Sequence, residues 1–269
     1  MTDKSNLELI SFLNQCDDEI FLSLLESVET LLSIKIGSEL KDLKKRKVIP
    51  PKMSPDRYEL SFKFANHLRY YGSNNIAYFC RKAVSIESGV NYKKIVYDVT
   101  KKLTKMLKIK KYVKRIATVE EYEYLICEML LLKAIKGKTQ KELAELLRDS
   151  GLDEYTIQQA AIELSKGGLN DENLIVIIKD LGKKTITTIL NKLTIWFVAK
   201  RIGKEAAEVI AKRILIKLPQ KGIAKIFSGI GWGLLVWDTI QLASPATRIT
   251  IPVVSLIACV RTAERIANS

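Results

Sequence analysis

The sequence predicts an all-α protein, a multi-helix bundle with a buried, glycine-rich C-terminal helical hairpin. Leu, Ile, Ala, Lys and Glu are abundant, whereas Gly and Pro account for only 13 and 6 of the 269 residues. This composition is typical of helical proteins and unlike that of proteins with many short strands and turns. Hydrophobic residues make up 47% of the chain, which is enough to build a sizeable core.

Capping signals indicate where helices begin. Ser5 and Glu8 form a candidate capping box before the first helix, and Asp17 is a candidate cap for the second. Pro55, preceded by a serine, predicts the start of a helix over residues 55–71. The capping-box sequence TVEE at Thr118 precedes another helix. Further helices are expected over residues 75–84, 92–107, 173–181, 185–202 and 205–218.

Shifts in composition divide the chain into four regions. Residues 1–37 form an N-terminal helical motif, and residues 38–137 form a basic helical region. The boundary between them is the basic, proline-rich stretch KDLKKRKVIPPKMSP. Residues 138–218 are predicted to be central helices, and residues 219–269 an apolar hairpin packed in the bundle.

The sequence lacks the signatures of common catalytic sites. His67 is the single histidine, and no nucleotide-binding glycine loop or zinc-protease motif occurs. The chain has no second histidine and no clustered cysteines, so we expect no zinc site. A histidine-based catalytic triad would have to use His67. We therefore predict a non-enzymatic protein without a cofactor or a metal.

The four cysteines are far apart and lie in apolar helical contexts. They are Cys16, Cys80, Cys127 and Cys259, and no CxxC spacing occurs among them. Such residues are typical of small buried side chains in a reducing compartment. Because the N-terminus also lacks the pattern of a secretory signal, we expect a cytoplasmic, bacterial protein, with peripheral attachment to a membrane.

A basic cluster is the main candidate for binding a partner. It consists of Lys101, Lys102, Lys105, Lys108, Lys110, Lys111, Lys114 and Arg115, interleaved with apolar residues at helical spacing. A helix that is basic on one side and apolar on the other suits an anionic surface, either a membrane or vesicle or a nucleic acid. Aromatic residues do not alternate with these lysines, which favours the membrane. An ordinary solvated helix face is the alternative.

The segments around Gly151 raise the possibility of DNA binding. TQKELAELL is similar to the first helix of many helix-turn-helix repressors. The following segment, DEYTIQQAAIELSKGG, is acidic at its start and lacks the residues that would contact base edges. Nucleic acid is therefore the less favoured partner.

The C-terminal third is the most apolar part of the chain. Each run flanking the Ser244-Pro245 break is about a dozen residues, or roughly 18 Å as a helix, against about 30 Å of hydrocarbon in a bilayer. Gly229, Gly231 and Gly233 suit close backbone contacts in a buried hairpin, which Asp238 and Arg248 would close as an ion pair. Insertion of this hairpin into a membrane is the alternative.

The last segment, RITIPVVSLIACVRTAERI, contains a proline after a β-branched run. Ile249, Thr250 and Ile251 favour a non-helical lead-in, so the final helix is predicted to begin near Pro252. Its inward residues would be Val253, Leu256, Ile257 and Val260.

Three stretches resemble the bacterial YaaW-like family. They are RITIPVVSLIACVR, NNIAYFCRKAVSIESGVNYKKIVYDVTKKL and the opening LELISFLNQCDDEIFLSLL. The family is helical and is distantly grouped with the assembly chaperones of ubiquinol-cytochrome c reductase. Members resemble sensor components of defence systems against nucleus-forming phages.

The resemblance implies a non-enzymatic sensor or adaptor in anti-phage defence. It would engage a phage-associated or membrane-associated target and recruit a membrane-acting effector protein. Two alternatives are a membrane-active effector that inserts its own C-terminal hairpin, and an assembly chaperone for a membrane complex.

Overall fold

The computed structural model describes residues 4–29, 49–71, 90–107, 118–135 and 245–268, together with single positions between 141 and 194. The chain contains no strand in this described part, which confirms the predicted all-α class there. The helices are α1 (Lys4–Gln15), α2 (Asp18–Glu29), α3 (Pro55–Tyr71), α4 (Tyr92–Leu107), α5 (Val119–Ile135) and α6 (Pro245–Asn268).

The junction between α1 and α2 is organised around the buried side chain of Arg57, in the first turn of α3. Its Nε and Nη2 donate to the carbonyl oxygens of Leu13 and Cys16, at 3.3 and 2.8 Å. These carbonyls lie at the end of α1, where intrahelical partners run out. Nη1 pairs with Asp18 at 3.1 Å, and the guanidinium lies 3.7 Å from the ring centroid of Phe21. We call this set the Arg57 junction.

The start of α3 follows its local sequence signal. Pro55 is the first helical residue, and the Ser54 hydroxyl accepts a hydrogen bond from the N–H of Arg57 at 3.1 Å. Just before it, Met53 has a φ of 64°, in the left-handed region. The Met53 N–H donates to the carbonyl of Asn14 at 3.3 Å, which ties the connector to α1.

The predicted N-cap at Ser5 is wrong, because α1 begins at Lys4 and includes Ser5. The Ser5 hydroxyl accepts a hydrogen bond from the N–H of Lys93 at 3.3 Å, and Asn6 Oδ1 accepts one from the N–H of Tyr92 at 2.9 Å. The first amides of a helix have no intrahelical acceptor, and here α1 supplies acceptors to α4. The Ser5 hydroxyl, which was expected to cap its own helix, thus contacts the start of a helix more than eighty residues later in the chain.

Helices α4 and α5 begin where the sequence predicts. Helix α4 spans the expected 92–107. Before α5, the N–H of Thr118 donates to Glu121 Oε2 at 2.8 Å, and the N–H of Glu121 donates to the Thr118 hydroxyl at 3.1 Å. This reciprocal pair is the predicted capping box.

The final helix, α6, corrects the predicted role of Pro252. The helix begins at Pro245 and runs through Pro252 without a non-helical lead-in over residues 249–251. An interior proline costs about 3 kcal/mol because it removes one backbone hydrogen bond and crowds the preceding turn. Every residue from 250 to 260 is buried, so packing on all sides offsets that cost. The predicted inward residues Val253, Leu256, Ile257 and Val260 are all buried.

Helices α5 and α6 pack against each other at the centre of the described bundle. Residues 125–130 of α5 are all buried, as are residues 250–260 of α6. Helix α5 also packs on α4, and α6 contacts α2, α3 and α4. Among the described segments, no helix combines the length and apolar character needed to cross a bilayer.

Several predictions lie outside the described residues. These are the glycine-rich hairpin with Gly229, Gly231 and Gly233, the ion pair between Asp238 and Arg248, and the helices over 75–84, 173–181 and 205–218. The division into regions 1–37, 38–137, 138–218 and 219–269 also stays a prediction.

Candidate functional site: a lysine-rich face on helix α4

Helix α4 begins at a polar cap that the sequence reasoning did not identify. Asn91 precedes the helix, and its Oδ1 accepts a hydrogen bond from the N–H of Lys94 at 2.9 Å. Asparagine is among the preferred N-cap residues, so the signal was present in the local sequence. Together with the acceptors from α1, this cap satisfies the first three amides of α4.

One half of α4 is rich in exposed lysines. Five lysines of α4 are exposed, and we call them the lysine face: Lys93, Lys94, Lys101, Lys102 and Lys105. At 3.6 residues per turn, these five positions fall within about half of the circumference of the helix. Of the predicted basic cluster, the structure thus places Lys101, Lys102 and Lys105 together on this exposed face.

The rest of the predicted cluster cannot be placed on this surface. Lys108, Lys110, Lys111, Lys114 and Arg115 lie outside the described residues. Conversely, Lys93 and Lys94 were missed by the sequence reasoning, although their spacing of eight residues from Lys101 and Lys102 is the helical signal that would have found them.

The opposite half of α4 is buried in the bundle. Ile95, Val96, Val99 and Leu103 are all at most 3% exposed. The hydroxyls of Thr100 and Thr104 at the edge of this half donate to carbonyls one turn earlier on the same helix. An amphipathic helix that enters a lipid surface needs its apolar side for the lipid. In this fold the apolar side contacts protein, so the lysine face is the side of α4 that is open to solvent.

Lys94 has a more defined environment than the other lysines of the face. Its ammonium forms an ion pair with Asp98 at 2.8 Å and lies 4.7 Å from the ring centroid of Tyr97. The Tyr97 ring packs edge-on against Tyr122 of α5, with the centroids 5.6 Å apart. Asp98 therefore offsets one of the positive charges of the lysine face.

A buried carboxylate holds the first residue of α4 in place. Glu123 of α5 accepts a hydrogen bond from the hydroxyl of Tyr92 at 3.0 Å. The same carboxylate pairs with Arg261 at 3.1 Å and with Arg265 at 2.8 Å, both on α6. We call these four residues the Glu123 cluster. It joins α4, α5 and α6 at one point.

The charge state of the Glu123 cluster follows from opposing effects. Burial raises the pKa of Glu123 above its ordinary value, although the two guanidinium groups and the Tyr92 hydroxyl act to lower it. Burial, together with the adjacent Glu123 carboxylate, also raises the pKa of Tyr92, so its hydroxyl stays protonated and donates. The cluster is therefore a fixed polar contact inside the bundle.

No group of three or more metal-ligating side chains occurs within the described segments. His67 lies half-buried on α3, where its Nδ1 is 2.7 Å from the carbonyl oxygen of Lys63 in the previous turn. A ring nitrogen at that distance donates its proton to the carbonyl.

Comparison with known proteins gives two similar sequences, both described as UPF0174 proteins of Helicobacter pylori. The protein of strain J99 is 26% identical over 268 residues, covering 96% of this chain and 92% of the relative. The protein of a second strain is 27% identical over 212 residues, covering 74% of this chain and 86% of the relative. No protein family model matches the sequence, and no solved structure matches it. The similarity to the strain J99 protein extends along nearly the whole chain. The resemblance to the YaaW-like family stays a prediction.

Proposed function

We propose that this protein is a non-enzymatic adaptor in bacterial anti-phage defence. Its lysine face would bind an anionic membrane or vesicle surface, and another part of the chain would recruit a membrane-acting partner protein. The proposed binding to a membrane rests on the exposure of five lysines along one side of α4. The defence role and the partner rest on the resemblance to the YaaW-like family.

The direction of the lysines supports electrostatic binding at the surface of a membrane. The apolar residues of α4 are buried against the bundle, so the helix need not unpack to present its charge. The formal net charge of +14 adds a long-range attraction to any anionic surface. Such attraction falls off within about 10 Å at 0.1 M salt, so binding should be strongly salt-dependent.

The expected affinity of the lysine face alone is low. Each lysine near an anionic membrane contributes about 1 kcal/mol. If Lys94 is left out because of its pair with Asp98, the other four contribute about 4 kcal/mol, which corresponds to a Kd of about 1 mM. Attachment of this strength is reversible, which suits an adaptor that needs a second contact with its target or partner.

Vesicle sedimentation tests the proposal directly. The purified protein is mixed with vesicles of phosphatidylcholine containing phosphatidylserine, or of phosphatidylcholine alone, at low and high salt. We expect binding to the anionic vesicles only, and loss of most of it at high salt. The double variant Lys101→Glu/Lys105→Glu, which reverses two charges one turn apart, should lose most of the binding at low salt.

A matched variant separates the lysine face from the overall charge. Lys4→Glu/Lys141→Glu changes the net charge by the same amount at exposed positions on other segments. This variant should retain most of the binding. Equal losses in the two variants, or no binding by the unmodified protein, would contradict the proposed role of the lysine face.

Further measurements separate the adaptor from the alternative functions. An adaptor leaves dye-loaded vesicles intact, whereas an effector that inserts its C-terminal hairpin releases the dye.

In bacteria that carry the native gene, Lys101→Glu/Lys105→Glu should abolish protection against a nucleus-forming phage without lowering the amount of protein. Protection at the unmodified level would contradict the defence role of this surface.

A further inference from the structure

Two cysteines from different helices meet in the core of the bundle. Cys127 of α5 and Cys259 of α6 are neighbours across the contact between these two helices. The two residues are 2% and 0% exposed, and both are free thiols. They lie 132 positions apart in the sequence, so nothing local brings them together.

The Glu123 cluster fixes the same register independently. Glu123 is one turn before Cys127 on α5, and its partners Arg261 and Arg265 follow Cys259 on α6. The two helices are therefore antiparallel, with the cysteine pair one turn along from the ion pairs. A displacement of α6 relative to α5 would break both contacts.

The surroundings of the pair allow the two helices to approach closely. Ser255, Ala258 and Thr262 of α6 are small and at most 2% exposed. A disulfide needs Cα atoms within about 7 Å, less than the usual distance between helix axes, and small side chains permit such an approach.

The closed bundle protects these thiols from oxidation. A thiol reacts as its thiolate, and access of the oxidant also limits the rate. The hydrogen bond from the neighbouring thiol and burial raise the pKa of Cys259 well above its ordinary value. Reaction in the folded state thus requires that α6 move away from α5 for a time.

We propose that Cys127 and Cys259 are a latent disulfide pair, which a peroxide oxidises only after α6 separates from α5, and which then locks the two helices together. In the open state one thiolate attacks hydrogen peroxide, so that an S–O bond forms, the O–O bond breaks and one water leaves. On closure the second thiol attacks the sulfenic sulfur, the S–S bond forms and a second water leaves. In sum, two thiols and one hydrogen peroxide give one disulfide and two waters.

The test measures thiols, cross-linked peptides and thermal stability in the unmodified full-length chain. The protein is treated with hydrogen peroxide in buffer and in urea below the unfolding transition, and digests are analysed by mass spectrometry before and after reduction. We expect slow reaction in buffer and at least a tenfold faster reaction in urea, with one peptide linking residues 127 and 259. The link closes a loop of more than one hundred residues, so Tm should rise by about 10 °C and return after reduction.

Two variants provide matched controls. Cys259→Ala keeps Cys127 and should give neither the linked peptide nor the rise in Tm. Cys16→Ala removes the buried thiol that follows α1 and should leave both unchanged. The proposal is overturned if the digests show sulfinic or sulfonic acids without a link, a link to a different cysteine, or oxidation that is as fast in buffer as in urea.

Discussion

The Arg57 junction buries a cation, whereas the Glu123 cluster buries an anion. The side chains of Arg57 and Glu123 are both 0% exposed, so each charge depends on its partners for solvation. The partners of Arg57 are two backbone carbonyls, the carboxylate of Asp18 and an aromatic ring. The partners of Glu123 are a tyrosine hydroxyl and two guanidinium groups.

The two clusters differ in what happens to the partners when the buried charge is removed. The carbonyls at the end of α1 belong to the buried residues Leu13 and Cys16, so water reaches them poorly. In contrast, Arg261 and Arg265 are 12% and 32% exposed and can turn their charges toward water. An unsatisfied buried group costs about 1 to 3 kcal/mol, so the same kind of deletion should be more harmful at Arg57 than at Glu123.

The largest expected effect follows from Arg57→Met. The methionine keeps much of the packing against Phe21 but removes the guanidinium donors from the carbonyls of Leu13 and Cys16, and the Leu13 carbonyl keeps only the weak thiol donor of Cys16, at 3.4 Å. We expect the free energy of unfolding to fall by about 3 kcal/mol or more, measured by urea denaturation. Because α1 also caps α4, hydrogen exchange of the first amides of α4 should accelerate as well.

Asp18→Asn is the control for that prediction. The Asp18 side chain is 42% exposed, so its loss of charge is compensated by water and should cost at most about 1 kcal/mol. If Asp18→Asn were as destabilising as Arg57→Met, the ion pair and not the bonds to the carbonyls would hold the junction together.

The second prediction concerns Glu123→Gln, which removes the buried negative charge but keeps the shape. We expect a loss of about 1 to 2 kcal/mol at pH 7, less than for Arg57→Met. Glu120→Gln is the matched control, because the Glu120 carboxylate faces Arg265 at 3.7 Å but is 64% exposed. That control should change stability by less than about 0.5 kcal/mol.

The pH dependence of the same variant tests the charge state of the cluster. Since burial raises the pKa of Glu123 above its ordinary value of 4.5, the folded protein holds this proton more tightly than the unfolded chain. The contribution of Glu123 to stability must then increase as the pH falls through the raised pKa toward 4.5. The deficit of Glu123→Gln should therefore grow between pH 7 and that region in urea denaturation. A deficit that shrinks would mean that the arginines outweigh burial and lower the pKa.

Features with local causes could be predicted from the sequence. The proline at the start of α3 and the capping box before α5 need only neighbouring residues, and the exposure of Lys101 and Lys105 follows from helical spacing. The buried position of Arg57 could not be predicted, because its acceptors lie more than forty residues earlier in the chain. The predicted helix start near Pro252 was wrong for a similar reason. Burial on all sides of α6 depends on distant residues, and it overrides the local preference of proline against a helix interior.

The smallest expected effect concerns Lys52, whose ammonium pairs with Asp17 at 2.7 Å. Asp17 and Asp18 are adjacent, so Lys52 and Arg57 present two cations to neighbouring carboxylates of the same turn. The side chains of Lys52 and Asp17 are 45% and 32% exposed, and pairs open to water in this way contribute about 0 to 1 kcal/mol, which salt reduces. We expect Lys52→Ala to lower the free energy of unfolding by about 0.5 kcal/mol at low salt and by less at high salt, whereas the loss in Arg57→Met should not depend on salt. A loss in Lys52→Ala that matched Arg57→Met would show that contact with an acid, and not burial of the cation, determines the stability of this junction.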